Sequence, residues 1–241
     1  MHLSAPIVRL RAKARQRSRI TNIPLHAALD QVAAEEGFER WSLLAAKSSR
    51  AHAADAILRR LRPGDMLLLA GRPGEGKTLF GLDLAAQAML AGRSAAMFSL
   101  VYTARDVLAR LADLGWQAQR FDALFRFYDS SDISSRYIIE TLADASVGTL
   151  VVIDYLQLLD QKREHPPLLD QVRQLKDFAI RKGLVLAFLS QIDRSYDPAA
   201  SPMPSLGDIS TPNPLDLSLF DKACFLNGGN VHFEALAPTA V

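Results

Sequence analysis

Apolar positions along this chain fall into two alternating patterns. Residues 65–70, 95–100, 124–128, 149–153 and 184–189 are short runs, apolar at nearly every position. Strands of this kind are buried on both faces, as in a parallel sheet. Residues 79–91, 103–114, 134–145 and 168–182 carry their apolar residues at helical spacing, and Gly92, Gly115 and Gly183 stand where three of these helices would stop. Strand and helix in strict alternation predict an α/β fold with a doubly wound, mostly parallel sheet.

The two ends read differently. Residues 1–21 set Arg9, Arg11, Lys13, Arg15, Arg17 and Arg19 at every second position, with no acid before Asp30. On a helix that spacing spreads charge around the cylinder. The segment is expected to be a basic arm, disordered until it meets a polyanion such as DNA or RNA. A solvated basic tail or a partner-docking arm fits the same residues, and the composition also suits an organelle transit peptide. Residues 22–50 read as a helical hairpin. Asn22 caps and Pro24 opens the first helix, Leu25, Ala28, Leu29 and Val32 form its apolar stripe, and Gly37 ends it. Phe38, Trp41, Leu43 and Leu44 are expected to pack a second short helix as core. Residues 48–55 read as a junction, residues 54–61 as a short helix, and residues 55–241 as the main domain. Near the other end Pro198, Pro202, Pro204, Pro212 and Pro214 mark a loop. Residues 222–226 and 231–236, joined by Asn227-Gly228-Gly229-Asn230, read as a terminal hairpin.

Composition narrows the class. The chain has 241 residues, 49% of them hydrophobic, which suits one α/β domain with a small helical appendage. No apolar run reaches the roughly 18 residues of a membrane span, and the start lacks a secretory h-region. Cys224 is the single cysteine, expected as a small hydrophobe in a buried strand. An intracellular, cytoplasmic protein without a membrane partner is the expectation. The net charge of +2 hides an asymmetry. Residues 1–62 carry twelve Lys/Arg against five Asp/Glu, whereas the rest carry sixteen against twenty-one. A basic start on a mildly acidic domain points to an anionic partner.

The sharpest chemical signal is Gly71-Arg72-Pro73-Gly74-Glu75-Gly76-Lys77-Thr78, which fits the phosphate-loop pattern G-x-x-x-x-G-K-[ST] between a strand and a helix. The glycines let backbone N–H groups turn toward phosphate oxygens. Lys77 brings a cation to the β- and γ-phosphates, and Thr78 offers a hydroxyl to Mg²⁺. ATP with Mg²⁺ is the expected ligand. The run Leu150-Val151-Val152-Ile153-Asp154 delivers a carboxylate at a strand end, expected to hold Mg²⁺ through water. Gln191 ends a later strand, where it is placed to sense the γ-phosphate. Arg194 reads as a surface arginine.

Four stretches in order carry a resemblance: Arg72 to Thr78, Phe98-Ser99-Leu100, Val152-Ile153-Asp154-Tyr155-Leu156-Gln157-Leu158, and Leu189-Ser190-Gln191-Ile192-Asp193-Arg194-Ser195. Together they resemble the C-terminal ATPase domain of DnaB-type replicative DNA helicases, in the RecA-like group of P-loop NTPases. The likeness covers roughly residues 55–236 and leaves out the first fifty. It implies a RecA-like fold, ATP-driven hydrolase chemistry, DNA binding and homo-oligomers.

Two family features are missing. In the family a Glu follows Ser-Leu and activates the attacking water; here Ser99-Leu100 is followed by Val101. The family also places a Lys and an Arg after a late strand as a finger into the neighbouring subunit's site; here residues 231–241 contain neither. Three functions follow from the sequence. One is a helicase-like protein that binds ATP and hydrolyses it weakly or not at all. Another is an active DNA-dependent ATPase or helicase with a relocated base, for which Glu75 and Asp129 are candidates. The last is an interaction scaffold.

Overall fold

The computed structural model describes residues 3–113, 123–160, 164–211 and 213–236. Its helices are α1 (Ile7–Thr21), α2 (Leu25–Glu35), α3 (Trp41–Leu58), α4 (Lys77–Leu90), α5 (Ala104–Asp113), α6 (Ser135–Thr141) and α7 (Leu168–Lys182). Its strands are β1 (Met66–Gly71), β2 (Ala95–Ser99), β3 (Phe125–Tyr128), β4 (Leu150–Asp154), β5 (Val185–Gln191), β6 (Lys222–Asn227) and β7 (Asn230–Ala235). They form one sheet in the order β3-β2-β4-β5-β1-β6-β7. Each pairing is parallel except β6 with β7, which is the expected terminal hairpin. Leu114 and Gly115, the expected end of one helix, and Pro212 lie outside the described residues.

Alternation along β1 shows why both faces had to be apolar. Met66, Leu68 and Ala70 join a core with Phe98, Phe188, Phe220 and the inner residues of α7. Leu67 and Leu69 join a second core with α4, α5 and the end of α3. All five are fully buried. Period-2 alternation sends neighbours to opposite faces, so a strand sandwiched between helix layers has no polar side to show. Cys224 lies in the α4-side core, with burial pushing its thiol pKa up. On α4, Gly81 permits close approach to the sheet: an added Cβ would stand 3.0 Å from Val152.

The N-terminal region departs from expectation. Within the expected arm, residues 7–21 form α1, whose Leu10 and Ala14 are buried with Ala28, Val32 and Ala33 of α2 and Leu44 of α3. The apolar residues among the arginines have somewhere to go, which composition alone does not reveal. The expected junction at 48–55 is also absent, because α3 runs unbroken from Trp41 to Leu58. Helical propensity of its Ala-rich middle carries it through. Phe38 and Trp41 pack at the edge of this small core, but Leu25 and Leu43 stay exposed, at 42% and 53%.

α3 lies against α4, and one ion pair marks the contact. The Arg50 guanidinium donates from Nε to the Asp83 carboxylate, which is almost wholly buried. Burial pushes the Asp83 pKa up, opposed by the charge and hydrogen bond of Arg50 and more weakly by Lys47. Removing one member of a buried pair leaves the other uncompensated. Arg50→Met should therefore destabilise the protein by roughly 3 kcal/mol near pH 7. A carboxyl whose folded pKa lies above its unfolded value adds stability below the unfolded value and loses it as pH rises through the folded one. The Arg50→Met deficit, taken from urea melts of variant and parent, should accordingly shrink between pH 7 and pH 4.5.

Candidate nucleotide site

β1 ends at Gly71, and the loop that follows is shaped by what surrounds it. A Cβ on Gly71 would meet the Leu226 carbonyl oxygen of β6 at 3.0 Å, so the neighbouring backbone leaves no room for a side chain. Gly74 and Gly76 adopt φ of 89° and 81°, the left-handed region that glycine enters without steric cost. Gly76 caps α4, and no side chain satisfies the first N–H groups of that helix. Uncapped N–H groups and the helix dipole together favour an anion at this point.

Three side chains converge beside the loop. Lys77 Nζ donates to the carbonyl oxygens of Gly71 at 2.7 Å and Arg72 at 3.0 Å. Burial lowers its pKa, while the Asp154 and Glu75 charges work against that shift. Thr78 Oγ1 donates to Asp154 Oδ2 at 3.0 Å. Asp154 is 5% exposed; burial pushes its pKa up, and the Thr78 hydroxyl and Lys77 charge pull it down. A cation, an uncapped helix start and a hydroxyl–carboxylate pair at the end of β4 form a donor set that fits a triphosphate with a hard divalent cation. Among the described residues no cluster of three or more His, Cys, Asp or Glu could cage a metal alone. A Mg²⁺ held here would take most ligands from phosphate and water.

Register explains how residues 35 to 120 positions apart meet. Gly71 pairs with Gln191, while Asp154 pairs with Ser99 on one side and Leu189 on the other. The carboxyl ends of β1, β5, β4 and β2 therefore share one edge of the sheet. Gln191 is half-buried there, and Arg194 is exposed. Val101, just beyond β2, is 56% exposed and donates its backbone N–H to Ser99 Oγ.

The two alternative carboxylates are placed differently from one another. Asp129 is exposed beyond β3, the sheet edge, two strands from β4 and so about 10 Å away in the pairing direction. Glu75 lies in the loop, but its Oε2 accepts the Gly228 N–H of the β6–β7 turn at 2.8 Å. That turn is tied onward: Asn227 Nδ2 donates to the Pro202 carbonyl at 2.9 Å, and Tyr196 Oη donates to the Ser201 carbonyl at 2.7 Å. Gln157, just after Asp154, donates to the Ser210 carbonyl, and Ser210 donates to the Gln191 carbonyl. The phosphate loop, the hairpin tip and the proline-rich loop are thus one hydrogen-bonded unit. The hairpin was legible as a hairpin; its place above the phosphate loop follows from the β1–β6 pairing, which no local pattern announces.

Fold and loop together define a RecA-like P-loop architecture. Residues 48–120 match the family model described as the DnaB-like helicase C terminal domain. A probable replicative DNA helicase of Guillardia theta is 28% identical over 220 residues, covering 78% of this chain and 36% of that protein. The replicative DNA helicase DnaB of Helicobacter pylori (strain J99) is 27% identical over 201 residues, covering 70% of this chain and 41% of that protein. The chain spans well under half the length of these relatives. Among solved structures, a DnaB-like replicative helicase, described with its interactions with primase, superposes with a TM-score of 0.57 at 18% identity, over 90% of this chain and 64% of that one. A KaiC-like protein of Pyrococcus horikoshii OT3 gives 0.51 at 19%, over 67% and 70%. The resemblance of this chain to DnaB-type helicase ATPase domains is shown, and its fold is the RecA-like one. Among the described residues no helix is long and apolar enough to cross a membrane.

The Glu75–Gly228 contact has a direct check. Glu75→Ala should speed amide hydrogen exchange across residues 227–230, while Glu75→Gln, which keeps an acceptor oxygen, should speed it less. Equal exchange in all three proteins would show that the contact does not hold the turn.

Proposed function

We propose that this protein binds ATP with Mg²⁺ and uses it as a helicase-like nucleotide switch in DNA transactions, with hydrolysis weak or lost. The observation that carries the reading is the Thr78–Asp154 pair beside Lys77, at an edge where β2 offers Val101. Lys77 would leave the Gly71 and Arg72 carbonyls for phosphate oxygens, which repay its lost bonds with a full opposite charge. Thr78 and Asp154 would hold Mg²⁺, and Gln191 would face the terminal phosphate. When bound, Mg²⁺ neutralises charge on the phosphate oxygens.

Hydrolysis lacks its usual proton acceptor. A valine neither takes a proton nor orients water, and a general base is worth about 10²–10⁴ in rate. Asp129 lies one strand further out than Val101, and the Glu75 carboxylate is engaged by Gly228. β7 carries His232 and Glu234 but no Lys or Arg, against the 10³–10⁵ or so that an arginine finger supplies. These positions favour the switch over an active helicase with a relocated base. Such a switch would work in the cytoplasm, as a homo-oligomer or on a partner protein, with a nucleic acid engaged outside the phosphate loop.

Calorimetry should show ATP binding with Mg²⁺ that Lys77→Ala weakens at least tenfold; no affinity for adenine nucleotides would end the proposal. Phosphate release should stay below about 1 s⁻¹, the low end of ordinary enzyme turnover, with or without single-stranded DNA. Val101→Glu restores a carboxylate beside the site and should raise that release at least tenfold. No rise would mean that the missing base is not what limits turnover.

A further inference from the structure

The six basic residues of α1 are not equivalent once the helix is placed. Lys13 and Arg17 lie one turn apart and both reach Glu35 of α2, at 2.7 and 2.6 Å. Those two bonds hold the Glu35 carboxyl below the usual carboxylate range. Arg11, Arg15 and Arg19 also lie four residues apart, and all three are exposed. None of them has an ion-pair partner among the described residues. At 100° per residue they occupy a sector about 80° wide, and their Cα atoms rise in steps of about 6 Å. The every-second spacing that spreads charge in sequence thus resolves into a pair of cations bound to Glu35 of α2 and an uncompensated stripe toward solvent. Leu10 and Ala14 fasten the helix to α2, so the stripe is carried on a packed element.

We propose that Arg11, Arg15 and Arg19 form a binding surface for the phosphodiester backbone of a nucleic acid, separate from the phosphate loop. Guanidinium groups pair with phosphate through two parallel N–H donors. Three of them in line on a packed helix suit an anion that repeats along a strand. Phosphate contacts of this kind position a protein without reading sequence. A membrane surface fits less well. A helix that lies in a bilayer interface needs a free apolar face; Leu10 and Ala14 are buried against α2, and the exposed Val8 and Ile20 stand about 120° apart around α1 and make no common face. The surplus of positive charge over residues 1–62 adds long-range attraction for the same partner. This inference rests on the reading of the chain as a participant in DNA transactions, but it concerns a different surface from the nucleotide site.

The test uses the full chain and a fluorescently labelled thymidine 30-mer, with anisotropy titrations between 50 and 200 mM KCl. Each phosphate neutralised on a single strand contributes about 0.7 to the slope of log K against log salt. Arg11→Gln/Arg15→Gln/Arg19→Gln should lower the slope by about 2 and the affinity at 50 mM KCl at least tenfold, with the circular dichroism spectrum and ATP affinity unchanged. Arg15→Glu alone should weaken binding at least threefold, and Glu35→Gln, which frees Lys13 and Arg17, should strengthen it. An unchanged slope and affinity in a folded triple variant would overturn the proposal. So would parent protein that binds anionic vesicles but not the oligonucleotide. ATP affinity in the same samples separates the two failures: lost ATP binding counts against the nucleotide switch, and an unmoved salt slope counts against the arginine stripe.

Discussion

The packing of β1 between β5 and β6 is the constraint on which the rest depends. Five consecutive residues of that strand are fully buried, and its neighbours on both sides run parallel to it. Burial on two faces demands helix layers on both, and α4 supplies one of them directly after the loop. The loop is therefore short, its entry is Gly71 because the Leu226 carbonyl stands where a side chain would go, and α4 points its uncapped start at the edge where β4 delivers Asp154. Site geometry here is a by-product of sheet order.

On the proposed function, the edge built in this way divides between binding and chemistry. In the proposed reading Thr78 and the buried Asp154 are already paired, whereas Lys77 rests on the Gly71 and Arg72 carbonyls and would turn from them to phosphate. The positions from which water would be activated are not equipped in the same way. Val101 is apolar, Asp129 stands at the outer strand, and Glu75 is turned into a structural contact with Gly228. Tying Glu75 to the hairpin also joins the phosphate loop to the proline-rich loop through Asn227, which donates to the Pro202 carbonyl.

The N-terminal helices are an appendage with their own small core, and Arg50–Asp83 marks where α3 meets α4. The same fold sorts the arginines of α1. α2 brings a single carboxylate, Glu35, within reach of two of the six cations and leaves three others aligned in solvent.

Read alone, the sequence established the alternating elements, the parallel sheet and the phosphate loop, because each is a local pattern: doubly apolar strands, helical spacing, and glycines at fixed offsets from Lys77 and Thr78. It also revealed the missing carboxylate at Val101 and the basic start. It could not show that residues 7–21 are a packed helix, since the partners of Leu10 and Ala14 lie on α2 and α3. Nor could it show that α3 runs through residues 48–55, that Glu75 faces Gly228, or that Lys13 and Arg17 share Glu35 while Arg11, Arg15 and Arg19 stay unpaired among the described residues. The continuity of α3 rests on local propensity that the junction reading underweighted; the other outcomes belong to the tertiary structure, because each depends on contacts between separate segments, and those contacts are selected by the burial of the whole chain.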